Sequence, residues 1–266
     1  MMISTELECH DFHHPNRLKT LLIAATFWVS SLAQAQTHPT QATEGDPSSA
    51  APWQFKLTAS NYDTHGQISA QDINLRGMRE DTTWWLAHYR RASEFEQSRA
   101  GWEQNWGFGW GQLTSSLQVA SHGFAGGALS ARLGDEALYG LIGWGRTNLR
   151  DYYNLNFDPN DAVTLGVGGK LQGSANYTLF TVKDDRLHTG QQISHAVLRL
   201  PLQASTRLTL DYAYKRGRSS AQDPLLHGNA LAIGLDHHDV FLRVTADNKV
   251  NFSNYNQTRV AVGLRF

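Results

Sequence analysis

The side chains able to do chemistry fall into small, incomplete sets. Ser194, His195 and Asp211 supply the residue types of a hydrolytic triad, in which an oriented base takes the proton of a nucleophilic hydroxyl. Asp184, Asp185 and His188 group two acids with a histidine, a combination that could activate water against lipid or peptide. His237, His238 and Asp239 are metal-donor types in a row. Asn154, Asn156, Asp158 and Asn160 present oxygens at alternate positions, as at the start of a calcium loop. Pro159 stands where such a loop needs its sharp-turn glycine, however, and Leu165 where it needs a bidentate acid. These four read as turn formers, and neither a metal nor a cofactor is expected. The chain lacks a phosphate loop, a dinucleotide fingerprint and a zinc signature. The more extended chemical feature is cationic. Arg76, Arg90, Arg132, Arg199 and Arg243 recur along the chain within alternating polar and apolar stretches.

The elements that must position these residues have a period of two. Trp53, Phe55, Leu57 and Ala59 alternate with Gln54, Lys56, Thr58 and Ser60, and Leu113, Ser115, Leu117 and Val119 alternate with Gln112, Thr114, Ser116 and Gln118. Leu208, Leu210, Tyr212 and Tyr214 repeat the pattern, as do Val240, Leu242 and Val244. Neighbours on a strand point to opposite faces, so Ser194 cannot pair with His195, and the histidines of the His237–His238 turn diverge. Strands are expected at 53–62, 69–79, 82–91, 97–106, 111–121, 124–134, 137–147, 161–171, 174–183, 190–201, 205–216, 226–236, 239–248 and 257–266. Runs of about ten residues match a tilted strand crossing a bilayer and exceed the usual length in a soluble sandwich. Connections after even-numbered strands are short, whereas the long ones, at 148–160, 217–225 and 249–256, follow odd-numbered strands. Short turns on one side and longer loops on the other define an all-β fold: a single antiparallel transmembrane barrel of 12–14 strands, with 14 preferred. No connection is long enough to be expected as a folded plug.

A barrel in hydrocarbon must close so that no strand edge leaves its N–H and C=O groups unpaired. Its outward face must be apolar with aromatic girdles. Trp53, Trp84, Trp106, Trp110 and Trp144 are girdle candidates, and Trp85 and Trp102 are placed deeper, facing lipid. The opposite phase then lines the lumen with Lys56, Arg76, Arg90, Arg99, Arg132, Arg199, Arg207, Arg243, Arg259 and Arg265, against the acids Asp72, Glu103, Asp211 and Asp247. Arginine suits planar pairing with carboxylate or phosphate, so this interior reads either as an anion-preferring pore or as an internal salt-bridge lattice.

The apolar run 21–32, preceded by Arg17 and Lys19 and followed by Ala33-Gln34-Ala35, reads as a signal peptide over 1–35. The acids Glu6, Glu8 and Asp11 ahead of it are what a start site placed too far upstream would give. Residues 36–52, rich in Pro, Ser, Thr, Gly and Ala, read as a flexible periplasmic tail, and 53–266 as the barrel. The single cysteine, Cys9, falls within the expected leader, so no disulfide is expected. A formal net charge of −1 gives no support for nucleic-acid binding.

The last ten residues carry Val260, Val262, Leu264 and Phe266 on one phase and end on an aromatic. This stretch resembles the terminal assembly signal of bacterial outer-membrane β-barrel proteins, and the resemblance to that class extends from Trp53 to the end. It implies location in the bacterial outer membrane, contact with outer-membrane lipid, and delivery by periplasmic chaperones to the outer-membrane assembly machinery. The expected function is a passive pore for small polar or anionic solutes, not an enzyme. The alternatives are a surface enzyme acting on lipid or peptide, and a non-conducting barrel that supports the envelope or a partner.

Overall fold

The computed structural model describes residues 51–155, 158–171 and 175–266. The proposed signal peptide and nearly all of the proposed tail lie outside the described residues. The chain forms fourteen antiparallel strands closed into one barrel. These are β1 (Gln54–Thr64), β2 (Ala70–Arg79), β3 (Thr82–Arg91), β4 (Phe95–Phe108), β5 (Gly111–Ala120), β6 (Phe124–Gly134) and β7 (Leu138–Thr147). They continue as β8 (Ala162–Lys170), β9 (Asn176–Asp184), β10 (Gln192–Gln203), β11 (Thr206–Gly217), β12 (Leu226–His237), β13 (Val240–Asp247) and β14 (Gln257–Arg265). Each strand pairs with its sequence neighbours, and β1 pairs with β14 from Lys56↔Arg265 to Thr64↔Gln257. Beyond that ladder the Phe55 N–H donates to the Phe266 carbonyl at 2.8 Å, and their rings stack at 5.8 Å.

Tight reversals make this meander possible. Glu80 and His238 take up positive φ at the 80–81 and 238–239 turns, which matches the twist of the flanking strands. Pro201 sits where the β10–β11 register shifts, at the end of its strand, a position that tolerates the lost N–H. Every connection on one end, taken as periplasmic, is short, at most the five positions of 171–175. The opposite, outer end carries 148–161, 185–191, 218–225 and 248–256.

Burial follows the pleat. Leu57, Ile73, Leu86, Trp102, Leu117, Leu129, Ile142, Leu165, Leu179, Ile233, Val244 and Val262 are exposed on the outer face. In water such a belt would be a large aggregation surface, whereas in a bilayer it is the solvated face. Outward aromatics mark the two interfaces: Trp106 and Trp110 toward the short-turn end, Trp144, Tyr212 and Tyr214 toward the outer end.

The structure departs from the sequence expectation at β3 and at the 148–161 connection. Strand β3 is out of the expected phase by one residue, so Trp85 is buried inside the barrel rather than facing lipid. Arg90 lies on the exterior with His88, while Tyr89 and Arg91 point inward. The 148–161 connection is also no simple outer loop. Tyr152, Asn154, Leu155, Asp158, Asn160 and Asp161 are all buried, because the segment folds into the barrel mouth.

Candidate functional site

The inner wall divides into a packed outer half and a basic, partly accessible inner half. In the outer half, inward residues on most strands are nearly inaccessible, among them Tyr62, Asp72, Tyr89, Gln97, Arg99, Phe124, Ile193 and Asp247. The folded-in 148–161 segment covers them. Gln97 clamps its backbone twice: the Tyr153 N–H donates to Gln97 Oε1 at 2.8 Å, and Gln97 Nε2 donates to the Tyr153 carbonyl at 3.0 Å. The Tyr153 ring stacks on Tyr89 at 4.9 Å, and its hydroxyl accepts from Arg91 at 3.0 Å. Tyr152 stacks on Phe124 at 4.2 Å. Burial raises the Tyr152 phenol above its ordinary pKa, and the neighbouring Arg99 opposes that shift. Asp158 meets His195 Nε2 at 3.3 Å, while His195 Nδ1 lies 2.9 Å from Asp211. From the last outer connection, 248–256, Asn251 Nδ2 donates to the Asn154 carbonyl at 3.4 Å.

Ion pairs brace the wall beneath this cover, and several reach over an intervening strand. Asp72 of β2 pairs with Arg99 of β4, and Arg76 of β2 lies 3.5 Å from Glu103 of β4. Lys215 of β11 reaches Asp247 of β13 past Gly228, whose missing side chain leaves the path open, since a Cβ there would sit 3.0 Å from Lys215 Cε. Each such pair is buried, so its members hold one another in place of water.

Toward the short-turn end the balance of charge changes. Lys56 faces Arg265 in one register pair and Arg76 in the other. Like charges directly opposite on a sheet are unfavourable by themselves. Asp236 is shared by Arg207 at 3.4 Å and Arg265. Lys56 instead lies 4.4 Å over the Phe241 ring and Arg199 donates to Thr178 Oγ1 at 3.3 Å, while nearer the outer end Arg259 lies 5.1 Å over its register partner Tyr62. Among the described residues, Lys56, Arg199, Arg243 and Arg259 form no carboxylate pair. Arg132 lies 4.1 Å over Tyr139 and donates to the Asp135 carbonyl at 3.2 Å. Backbone N–H bonds from Leu138 and Ala137 hold the Asp135 carboxyl below its usual pKa.

Of the five arginines singled out from sequence, Arg76, Arg132, Arg199 and Arg243 lie on the inward phase and Arg90 does not. Arg91 and Lys215 also point inward, beyond the bases expected there from the sequence. A signal for Lys215 was present, since it shares a phase with Asp211 and Arg207. The hydrolytic sets do not assemble. Ser194 bonds Thr181 on the outer face at 2.8 Å while His195 faces the lumen. Asp184 accepts backbone N–H bonds from Arg186, Leu187 and Thr189, Asp185 pairs with Arg146, and His188 is exposed. His237 bonds Thr206 at 2.9 Å. The calcium-like oxygens do not converge either: Asp158 is turned to His195, Asn154 donates to the Asp158 carbonyl, and Asn156 lies outside the described residues. No cluster of three or more metal-ligating side chains occurs among the described residues.

No protein-family profile and no curated protein sequence matches the chain. Solved structures do. The Acinetobacter baumannii outer membrane protein Omp33 aligns over 80% of this chain and 98% of its own, with 11% identity and a TM-score of 0.51. The KdgM porin bound to disordered oligogalacturonate aligns over 79% and 99%, with 10% identity and a TM-score of 0.44. A variant of the Rh. blastica porin aligns over 81% and 99%, with 10% identity and a TM-score of 0.47. At such identities the likeness is one of fold. With its closed fourteen-strand sheet and apolar exterior, the chain is a bacterial outer-membrane β-barrel of porin-like fold.

Proposed function

We propose that this barrel is a pore for small anionic solutes, with the inward basic groups of its periplasmic half as the selectivity element and the folded-in 148–161 segment as its constriction. The observation that carries the reading is the run of like charges placed in register, Arg76–Lys56–Arg265, beside Arg199, Arg207 and Arg243, a set of six bases met by two acids, Glu103 at Arg76 and Asp236 at Arg207 and Arg265. A wall built only for stability would set an acid against each base, as the outer half does for Arg99 with Asp72 and for Lys215 with Asp247. Arginine and lysine lining a pore lower the barrier for anions and raise it for cations. A non-conducting barrel is the second reading, favoured by the dense packing around Tyr152, Tyr153 and Leu155. The outward positions of Val260, Val262 and Leu264, with exposed Phe266 at the strand's end, suit recognition by the outer-membrane assembly machinery. Planar-bilayer recording of the refolded chain separates the two readings. Discrete conductance steps with anion preference support the pore, and correctly inserted barrels without steps support the structural role.

A further inference from the structure

The lipid-facing surface differs around the outer rim. One register row runs through Trp144, Val163, Lys183, Gln192, Arg216 and His227, one residue from each of β7 to β12. Pleating directs this row outward: Lys183, Arg216 and His227 are exposed, whereas the adjacent Val182, Asp184 and Lys215 are buried inside. Exposed Trp144 and Tyr214 mark the interface on this side, and the Tyr214 hydroxyl lies 2.8 Å from His227 Nδ1. Arg216 is two residues further out than Tyr214, or about 6.6 Å along the strand. Because interfacial aromatics sit at headgroup level, Arg216 and its row partner Lys183 stand at or just beyond that level, among phosphates and sugars.

Nearby carboxylates are already committed. Asp184 points inward and is saturated by backbone donors. Asp185 takes two bonds from Arg146, both 2.8 Å. Asp223 accepts from Ser219 and Ser220, each at 2.8 Å, which lowers its pKa. Among the described residues neither Lys183 nor Arg216 has an ion-pair partner. The β1–β4 sector is different, for there the outward Arg90 stands opposite Glu96, and Asp63 is exposed on β1. The cationic row is therefore a feature of β9–β12.

Lys183 and Arg216 flank Gln192 two strand spacings apart, roughly 10 Å. An ammonium, an amide and a planar guanidinium in that order offer two separated phosphate contacts with a neutral hydrogen-bonding group between them. We propose that Lys183, Gln192, Arg216 and His227 form a docking site for the phosphorylated glucosamine headgroup of outer-leaflet lipopolysaccharide. The site depends on placement of the barrel in the outer membrane and not on whether it conducts.

Native mass spectrometry of the folded chain tests this with three probes: bisphosphorylated lipid A, dephosphorylated lipid A and phosphatidylglycerol. The expected result is retention of bisphosphorylated lipid A in preference to both other lipids. The double variant Lys183→Gln/Arg216→Gln should lose that retention by about tenfold or more, while Arg90→Gln leaves it unchanged. Equal retention of phosphatidylglycerol would reduce the row to a general anionic-lipid surface and overturn the proposal. So would full retention by the double variant. The comparison of phosphorylated with dephosphorylated lipid A on the unmodified chain decides the matter without any variant, and equal binding there also overturns it.

Discussion

Replacing Gln97 with alanine should loosen the 148–161 segment from the barrel mouth. Gln97 is buried on β4 and makes two hydrogen bonds to the Tyr153 backbone, at 2.8 and 3.0 Å. Their loss leaves a buried N–H and a buried C=O without these partners, at about 1–3 kcal/mol each. The Tyr89 stack and the Arg91 bond survive, so the low end applies, about 2–3 kcal/mol in total. That corresponds to a rise of roughly 30- to 150-fold in the population with the segment released. The shift can be read as a labelling rate. Cys9 is the only cysteine, so a Cys9→Ser, Leu155→Cys background places one thiol where Leu155 is buried against Tyr62 and Tyr89. A membrane-impermeant maleimide added from outside should label it slowly. Adding Gln97→Ala should speed labelling by the stated factor, because modification then tracks the open population. Equal rates with and without Gln97 would refute the clamp and with it the inward placement of the segment.

Other perturbations probe the wall. Asp72→Asn leaves Arg99 buried without its charged partner and should destabilise the barrel by about 3–5 kcal/mol, measured by urea unfolding in detergent. Lys170→Gln, which breaks an exposed pair with Glu136, should give no measurable change in the same assay. Gly168→Ala places a Cβ 2.3 Å from the Tyr139 hydroxyl oxygen, so it should cost about 1–3 kcal/mol in the unmodified barrel and little in a Tyr139→Ala background, where the clash is already gone. Ile142→Arg puts a charge on the lipid face at the middle of β7 and should cost about 2–4 kcal/mol, read by the same unfolding titration.

The strands were legible in the sequence because a half-solvated sheet forces alternation, and each strand contained enough of it to fix both length and phase. Strand β3 is the instructive exception. Its sequence, TTWWLAHYRR, consists largely of doublets, so sliding the phase by one residue exchanges Trp84 for Trp85 and Arg90 for Arg91 without altering the pattern. Only neighbouring strands settle it: Asp72 on β2 and Gln97 on β4 both register with Tyr89 and point inward. The arginines flanked by clear alternation, such as Arg199 between Leu198 and Leu200, were placed without such help. The 148–161 segment failed for a different reason. Its Asn and Asp residues fit turns, but Tyr152, Tyr153 and Leu155 are too apolar for a loop standing in water, and they mark a segment that needs a wall to pack on. The partner of that wall, Gln97, is a single polar residue whose role appears only once β4 and the segment are brought together.

If the surplus of inward bases selects anions, the reversal potential under a salt gradient reads that selection out. An anion about 5 Å from one unit charge gains roughly 0.8 kcal/mol in water, so reversing that charge changes its energy by twice as much, or about 1 kcal/mol after screening at about 0.1 M salt. The unmodified barrel should therefore prefer anions near 0.1 M and lose most of that preference near 1 M, where the Debye length falls to about 3 Å. At the lower salt Arg243→Glu should disfavour anions about fivefold and favour cations by a similar factor, shifting the preference by roughly 30-fold, while Arg90→Glu, on the exterior, should leave it unchanged. A cation-preferring or unselective potential at low salt, or one indifferent to Arg243→Glu, would contradict the account.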